Sequence, residues 1–556
     1  MPLPLASAFA PLVLLLASNR FAPNALSLQE ADAARLVPAD ATILVRVESA
    51  RALNELVHAF APLAGDEAAS FDLQSALAQA AARGAPGGPV PELEPSLPLY
   101  LALSFADGPE PARTVVVPVV NDAPLTFLGP LIGQGQNARL GRYVGGSTRA
   151  DYAASAAPNP LVASLRPGVA TVHLDLAKII ATYRPLLDMA LRQAETSLDQ
   201  VPARPPYDIQ PFMEQYIAFV RSLLDTAQSL DLTLEREGEE LVLRVDYAEN
   251  VERTPLATTD VAGLLGYVDR GSALQMVFNG KWTEISGWYR EFADALVDAY
   301  PEPLRGNFRT LLDTSPELDS LLAPGLAMAL DFGKDGMHGT YVLRSPQPQR
   351  VVEVLERMLR GVDHEGGLLR VGAAAQLSAG GFEARVLPFE VRYDELWQTL
   401  TKMAAQLVPK DASATQAEVQ RGLEAFLGRD QRLALATRGE LVGVVVASGD
   451  ANVKKGLERL GSPTAPSPEL TRLLARLEPG TVGFVYRLEM GQALRQMFQV
   501  LSEILPAGAT PPVLPDRDFA LDYFGGRHGR VWSGGMVISV GELIDFVRSV
   551  QALEQH

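Results

Sequence analysis

The chain has 556 residues, 47% hydrophobic and 21% charged, with 66 acidic against 48 basic residues and a formal charge of −18. That balance argues against a general nucleic-acid binder and against recruitment to an anionic membrane, because both draw affinity from cationic side chains. The absence of cysteine excludes disulfides, Cys-ligated zinc, iron–sulfur clusters, a Cys nucleophile and a lipidated Cys anchor in this chain. At about 150 residues per domain the length suggests three or four domains, or a repeat array.

Residues 3–17, LPLASAFAPLVLLLA, form an apolar run of signal-peptide length, too short and too proline-broken to span a bilayer. Ala25-Leu26-Ser27 places small residues at a cleavage site before Leu28. Residues 1–27 are therefore read as a cleaved signal, and the protein as periplasmic or extracellular. The apolar run lacks a preceding Lys or Arg, so the alternatives are a misplaced start codon and a buried N-terminal segment. No later stretch approaches the roughly 20 apolar residues of a transmembrane helix.

A short strand running into an amphipathic helix recurs five times, with strands at 41–49, 168–176, 272–280, 382–390 and 480–488. In the helices that follow, apolar residues return at steps of three and four: Leu53, Leu56, Val57 and Phe60 in the first, Ile179, Tyr183, Leu186 and Leu187 in the second. Such spacing puts them on one face, ready to pack on a sheet. Hairpins are expected at 98–120, 230–247, 326–343, 432–448 and 519–539, where turns carry Gly beside charged residues, as in Glu237-Gly238 and Arg438-Gly439. Helices at 346–361, 449–460 and 541–553 close three units, and Asp450 is the expected N-cap of the second of these.

The reading is an α+β fold of repeated strand–helix–hairpin–helix modules, about 100 residues each, with mainly antiparallel sheets and helices packed on one face. Two modules fall in an N-terminal lobe at 28–256 and three in a C-terminal lobe at 257–556. Pro/Gly-rich stretches at 84–98, 201–206, 461–468 and 506–517 are the expected joints.

The run Leu36-Val37-Pro38-Ala39-Asp40-Ala41-Thr42 before the first strand resembles an exported bacterial family of unknown function whose mature parts open with an "LPADT" turn and strand. Related turns precede later strands at Leu165-Arg166-Pro167-Gly168, Leu322-Ala323-Pro324-Gly325 and Leu477-Glu478-Pro479-Gly480. The resemblance implies an exported, repeat-built protein and brings no catalytic, cofactor or metal residues.

Catalytic templates fail one after another. The six histidines, His58, His173, His338, His364, His528 and His556, show neither HxH nor HExxH spacing. His173 and Asp175 lie two apart on a strand and so share a face; they are read either as an acid–base pair or as a surface or satisfied core histidine. Gly145-Gly146-Ser147 and Ser533-Gly534-Gly535 lack the nucleophile elbow. Asn279-Gly280-Lys281-Trp282 lacks the first Gly and the terminal Ser/Thr of a P-loop, and Gly133-Gln134-Gly135 has no third glycine for a dinucleotide fingerprint. The acids Glu235, Glu237, Glu239 and Glu240 sit at a turn, where a solvated surface outweighs Ca²⁺ or glycoside chemistry. Trp282, Trp288, Tyr289 and Phe292 stripe one helix face, either as core or as the wall of an apolar ligand site.

No catalytic, cofactor-binding or metal residue is assigned. The leading reading is an exported, non-enzymatic binding, scaffold or envelope-associated protein with an unknown protein or apolar ligand as partner and no nucleic acid. A carrier for a lipid or other apolar ligand is the second reading, and a hydrolase with a site assembled from distant residues the third.

Overall fold

The computed structural model describes residues 28–554 apart from 65, 85–91, 106–109, 122–134, 200–209, 252–256, 282–292, 299, 301–303, 334–335, 365–366, 397, 399–415 and 505–517. The signal-like segment 1–27 and the aromatic stripe at 282–292 lie outside these residues. The chain forms two compact units. The first comprises the described residues up to Met189 with Leu224–Thr254 and Gly525–Gln551, and the second comprises Ala190–Leu223, Pro255–Phe524 and the last residues.

In chain order the strands are β1 Ile43–Val47, β2 Leu99–Ser104, β3 Ala112–Pro118, β4 Gln136–Leu140, β5 Tyr143–Ser147, β6 Ala170–Leu174, β7 Ala227–Glu237 and β8 Glu240–Glu249. They continue as β9 Leu274–Phe278, β10 Ala323–Gly333, β11 Gly336–Arg344, β12 Leu369–Val371, β13 Ala375–Ala379, β14 Phe382–Val391, β15 Gln431–Arg438 and β16 Leu441–Ser448. The last three are β17 Val482–Glu489, β18 Ala520–His528 and β19 Val531–Ser539.

In the first unit the strands pair antiparallel in the order β4-β5-β3-β2-β1-β6-β7-β8-β19. Val, Leu and Thr fill these strands because branched side chains suit a pleated, half-buried surface. On one face Leu44, Tyr100, Ala102 and Val116 pack against Ala33, Ala34 and Leu36 of helix Leu28–Leu36 and against Val162. On the other, Val117 and Val144 pack with Leu73 and Leu77 of helix Leu73–Gly84. The Pro38-Ala39-Asp40 turn that opens β1 is pinned from outside: Arg149 Nη1 donates to both Asp40 oxygens at 2.8 and 2.7 Å, and Asn159 Nδ2 donates to the Pro38 carbonyl at 2.7 Å.

The second unit pairs β17-β9-β10-β11-β16-β15-β14, all antiparallel, with β12 and β13 adding to different stretches of β14. Helix Pro348–Gly361 packs Val351 and Val352 against Leu387, Leu435 and Val442. Helix Gly449–Gly461 lies against the other face, where Leu460 meets Gly443 and Gly456 meets Val445. Since Val442 and Gly443 are consecutive on a strand, these two helices cover opposite faces.

Helices thus cover both sides of the strands in each unit, not one side as the helical stripes suggest. The cause is visible in β16 itself: LVGVVVAS is apolar without alternation, the mark of a strand buried on both faces. A second difference concerns Asp450. Helix Gly449–Gly461 starts after Ser448, and Asp450 sits in its first turn as an ion-pair partner of Arg432. Its charge suits the helix N-terminus there without capping it.

Hairpins form where Gly supplies positive φ. Gly238 turns β7 into β8 at φ 64°, and Gly439 turns β15 into β16 at φ 58°. Gly380, between β13 and β14, has φ 60° and carries a second constraint: a Cβ there would stand 2.3 Å from the Leu457 carbonyl oxygen of helix Gly449–Gly461. A Cβ at Gly439 would meet nothing within 4 Å. Gly439→Ala is therefore expected to cost about 1 kcal/mol from backbone strain alone. Gly380→Ala should cost about 3 kcal/mol, since the helix must also shift. Urea unfolding followed by circular dichroism compares them; equal losses would show that the helix does not press on this turn.

Candidate functional site

Register in the second unit brings several polar side chains to one end of one sheet face. Across β10 and β11, Asp331 stands opposite His338 and Ala329 opposite Thr340; across β11 and β16, Thr340 stands opposite Val445. Cross-strand partners share a face, so these five residues form one floor. Helix Gly449–Gly461 forms a wall. It comes close because Gly456 has no side chain, and a Cβ there would lie 2.6 Å from Val445 Cγ1. The same helix presents Asn452, Lys455 and Arg459, spaced to line one face. Gln492 and Gln496, from helix Met490–Ile504, and the Asp269–Ser272 turn complete a cleft of about 420 Å³.

Inside this cleft the acids are occupied. Asp331 accepts from the Ser272 hydroxyl at 2.8 Å, the Ala273 amide at 2.9 Å and Gln492 Nε2 at 3.3 Å. Asp269 accepts from the Gly271 amide at 3.2 Å and pairs with Arg459 at 2.6 Å. Gln496 Oε1 accepts from the Phe332 amide at 3.1 Å. Lys455, exposed on its helix, makes no hydrogen bond or ion pair among the described residues.

Ser272, Asp331 and His338 meet in the cleft, yet Ser272 is 1% exposed and gives its hydroxyl proton to Asp331. A buried serine bonded to a carboxylate orients that carboxylate; it is neither activated by an imidazole nor open to a substrate.

The first unit carries a second polar cluster. His173 on β6, Asp231 on β7, Asp246 on β8 and Ser533 on β19 are successive cross-strand partners and so form a row on one face. His173 Nδ1 lies 2.7 Å from Asp231, and Ser533 donates to Asp246 at 3.2 Å. Arg166 reaches Asp246 at 3.5 Å and Glu235 at 3.7 Å; Arg244 reaches Glu235 at 3.6 Å. Ser533 and His173 are three strand spacings apart, roughly 14 Å, with two carboxylates between them, so the serine has no histidine base.

The residues weighed in the sequence are thus distributed among separate structural tasks. Asp175 does not meet His173; it accepts from the Lys178 amide at 3.0 Å at the start of helix Leu176–Asp199 and pairs with Lys178 Nζ at 2.8 Å. His58 bonds the Phe71 carbonyl at 2.6 Å and His364 bonds Asn307 at 3.1 Å. Asn279 clamps β17 through the Thr481 carbonyl and the Gly483 amide. Ser147 is buried against Thr114 on β3. Among the described residues no group of three or more His, Cys, Asp or Glu is placed to hold a metal, and no helix is long and apolar enough to cross a membrane.

Sequence reasoning missed the cleft. Its one local signal was Lys454-Lys455, an adjacent pair in a chain with only seven lysines.

No family model matches the chain, and no curated protein matches it. Among solved structures, crystal forms I and III of TP0453 align over 51% of this chain and 96% of theirs, at 10% identity and TM-scores of 0.22 and 0.23. Similarity of that size does not establish a shared fold.

The charge row has a measurable consequence. Burial pushes the Asp246 carboxyl up to about 6, against the pull of Arg166 and Arg244. A carboxyl whose pKa is higher in the fold than in the open chain binds its proton more tightly when folded. Its stabilising contribution is complete below about pH 4 and is lost as pH rises through about 6. Asp246→Asn should remove this effect. The variant's stability relative to the parent should rise from pH 4 to 7 by on the order of 2 kcal/mol, read from urea unfolding at each pH. Parallel pH profiles would contradict it.

Proposed function

We propose that the protein is an exported, non-enzymatic binding protein whose second unit takes a small polar ligand in the cleft beside helix Gly449–Gly461. The carrying observation is the cleft itself: about 420 Å³, the size of a small-molecule site, with a few convergent polar groups. Lys455 at its wall has no partner among the described residues. The satisfied, buried Ser272 and the separation of Ser533 from His173 favour binding over hydrolysis. The polar side chains Asn452, Lys455, Gln492 and Gln496 in a lining that also includes Phe332 and Val445 favour a polar ligand over a lipid.

Export rests on the apolar run at 3–17 and the small residues before Leu28. A repeated module is part of the same reading. It is supported by the antiparallel pairing of two of the repeated strands in each unit, β1 with β6 and β9 with β17, β1 and β9 each being flanked by a hairpin, β2–β3 and β10–β11.

Fractionation with N-terminal sequencing is expected to find the protein outside the cytosol, beginning at Leu28; cytosolic protein retaining Met1 would overturn export. For binding, thermal unfolding is measured against a panel of small polar compounds, neutral, cationic and anionic. At least one should raise the midpoint, and Thr340→Phe, which fills the cleft, should abolish the rise. A rise that persists in Thr340→Phe, or none in the parent protein, would remove the cleft as a binding site.

A further inference from the structure

The geometry points to a small organic oxyanion, a carboxylate or a phosphate monoester, as the ligand of this cleft, with Lys455 as its charge partner. This rests on the binding reading above and specifies its chemistry.

Acceptors and donors in the cleft are unequally committed. Both acids that line the cleft among the described residues are spent on the protein. Asp331 takes three donors, from Ser272, Ala273 and Gln492, and Asp269 takes two, from Gly271 and Arg459. A carboxylate saturated in this way offers little to an incoming cation, which would have to displace bonds already made. Gln492 is likewise committed, its Nε2 shared between Asp331 and the Gly271 carbonyl.

The donors are differently placed. Lys455 carries three N–H groups and no partner among the described residues. Arg459 pairs with Asp269 through a side chain 48% exposed, where an ion pair is weak and exchangeable. Gln496 must turn Oε1 toward the Phe332 amide, because only an oxygen accepts from a backbone N–H, and this leaves its Nε2 for a ligand. The Thr340 hydroxyl on the floor has no partner among the described residues. A cleft with spent acceptors and unspent donors, one of them a full positive charge, selects an anion with several oxygens. Charge-assisted bonds from Lys and Arg would hold it.

Lys455 does not hold the fold. It is exposed, and its helix packs through Val453, Gly456, Leu457 and Leu460. Its neighbour Lys454 is equally exposed but sits 3.9 Å from Glu458 and is not part of the cleft lining, so it supplies a matched control.

Calorimetric titration of the full chain with inorganic phosphate and with succinate tests the inference. At least one should bind, more weakly as salt rises. Lys455→Glu should lower that affinity at least about 10-fold, the loss expected for one charged hydrogen bond, while Lys454→Glu should leave it within about 2-fold. Circular dichroism confirms that both variants fold. Binding of phosphate alone or succinate alone supports the inference and assigns the oxyanion. Equal losses in the two variants would mean that general charge, not the cleft, attracts the anion, and would overturn it. So would a neutral compound whose Thr340→Phe-sensitive binding is unchanged in Lys455→Glu, but the binding reading would then survive. No binding of any compound would remove both.

Discussion

The second unit depends on the antiparallel pairing of β11 with β16. These strands are about 100 residues apart in the chain, and their ladder runs from Gly339 opposite Val446 to Arg344 opposite Leu441. Closing a loop of that length costs entropy before any contact repays it. The repayment comes from β16, which is apolar on both faces and receives helix Pro348–Gly361 on one and helix Gly449–Gly461 on the other. The same register puts Thr340 beside Val445 and so fixes how far Lys455 stands from Asp331's side of the sheet. A slip of one residue would send Thr340 and Asp331 to the opposite face. The cleft is a by-product of a packing requirement, and its floor is set by the core beneath it.

Two glycines convert that requirement into a usable concavity. Gly456 lets the helix touch Val445, and Gly380 lets the β13–β14 turn slide beneath the Leu457 carbonyl. Close contact at the middle and end of the helix leaves its first half, with Asn452 and Lys455, to overhang the β10–β11 floor. Buried charge follows a common rule in both units. Asp246 is flanked by Arg166 and Arg244, and Asp522 is bonded by Arg487 through both oxygens at 3.0 Å, yet burial outweighs the arginines and pushes each carboxyl up to about 6. Removing a carboxylate from water costs more than an imperfect ion pair returns. In the cleft, Asp331 and Asp269 are only partly buried and are oriented by backbone, hydroxyl, amide and guanidinium donors.

Local pattern carried much of the secondary structure. The strands at 43–47, 170–174, 274–278, 382–391 and 482–489 and the hairpins at Gly238 and Gly439 follow from alternation, branched residues and glycine turns. Pairing across distance was beyond it. Nothing near Asp246 announces Ser533, because their contact depends on β19 returning to β8 some 290 residues later. His173 illustrates the limit well: its sequence neighbour Asp175 shares its strand face, but β6 ends at Leu174 and Asp175 turns away to start a helix, leaving Asp231 on β7 as the partner. The cleft was illegible for the same reason. Its floor and walls come from five separated segments, and Lys455 differs from Lys454 only in which side of a helix it occupies.

An anion-binding cleft on a chain of charge −18 raises an electrostatic question that distance answers. Exposed charges are screened beyond about 8 Å at physiological ionic strength, so acids elsewhere on the surface contribute little inside the cleft. What an entering oxyanion meets is the local set: Lys455, a half-exposed Arg459 paired with Asp269, and an Asp331 already facing three donors. The acidic surface would slow encounter at low salt without changing this local preference. In a cysteine-free protein the arrangement must be kept by packing and hydrogen bonds alone. Placing the cation on a helix whose buried face is fixed by Val453, Leu457 and Leu460 meets that condition while leaving the ammonium free to move.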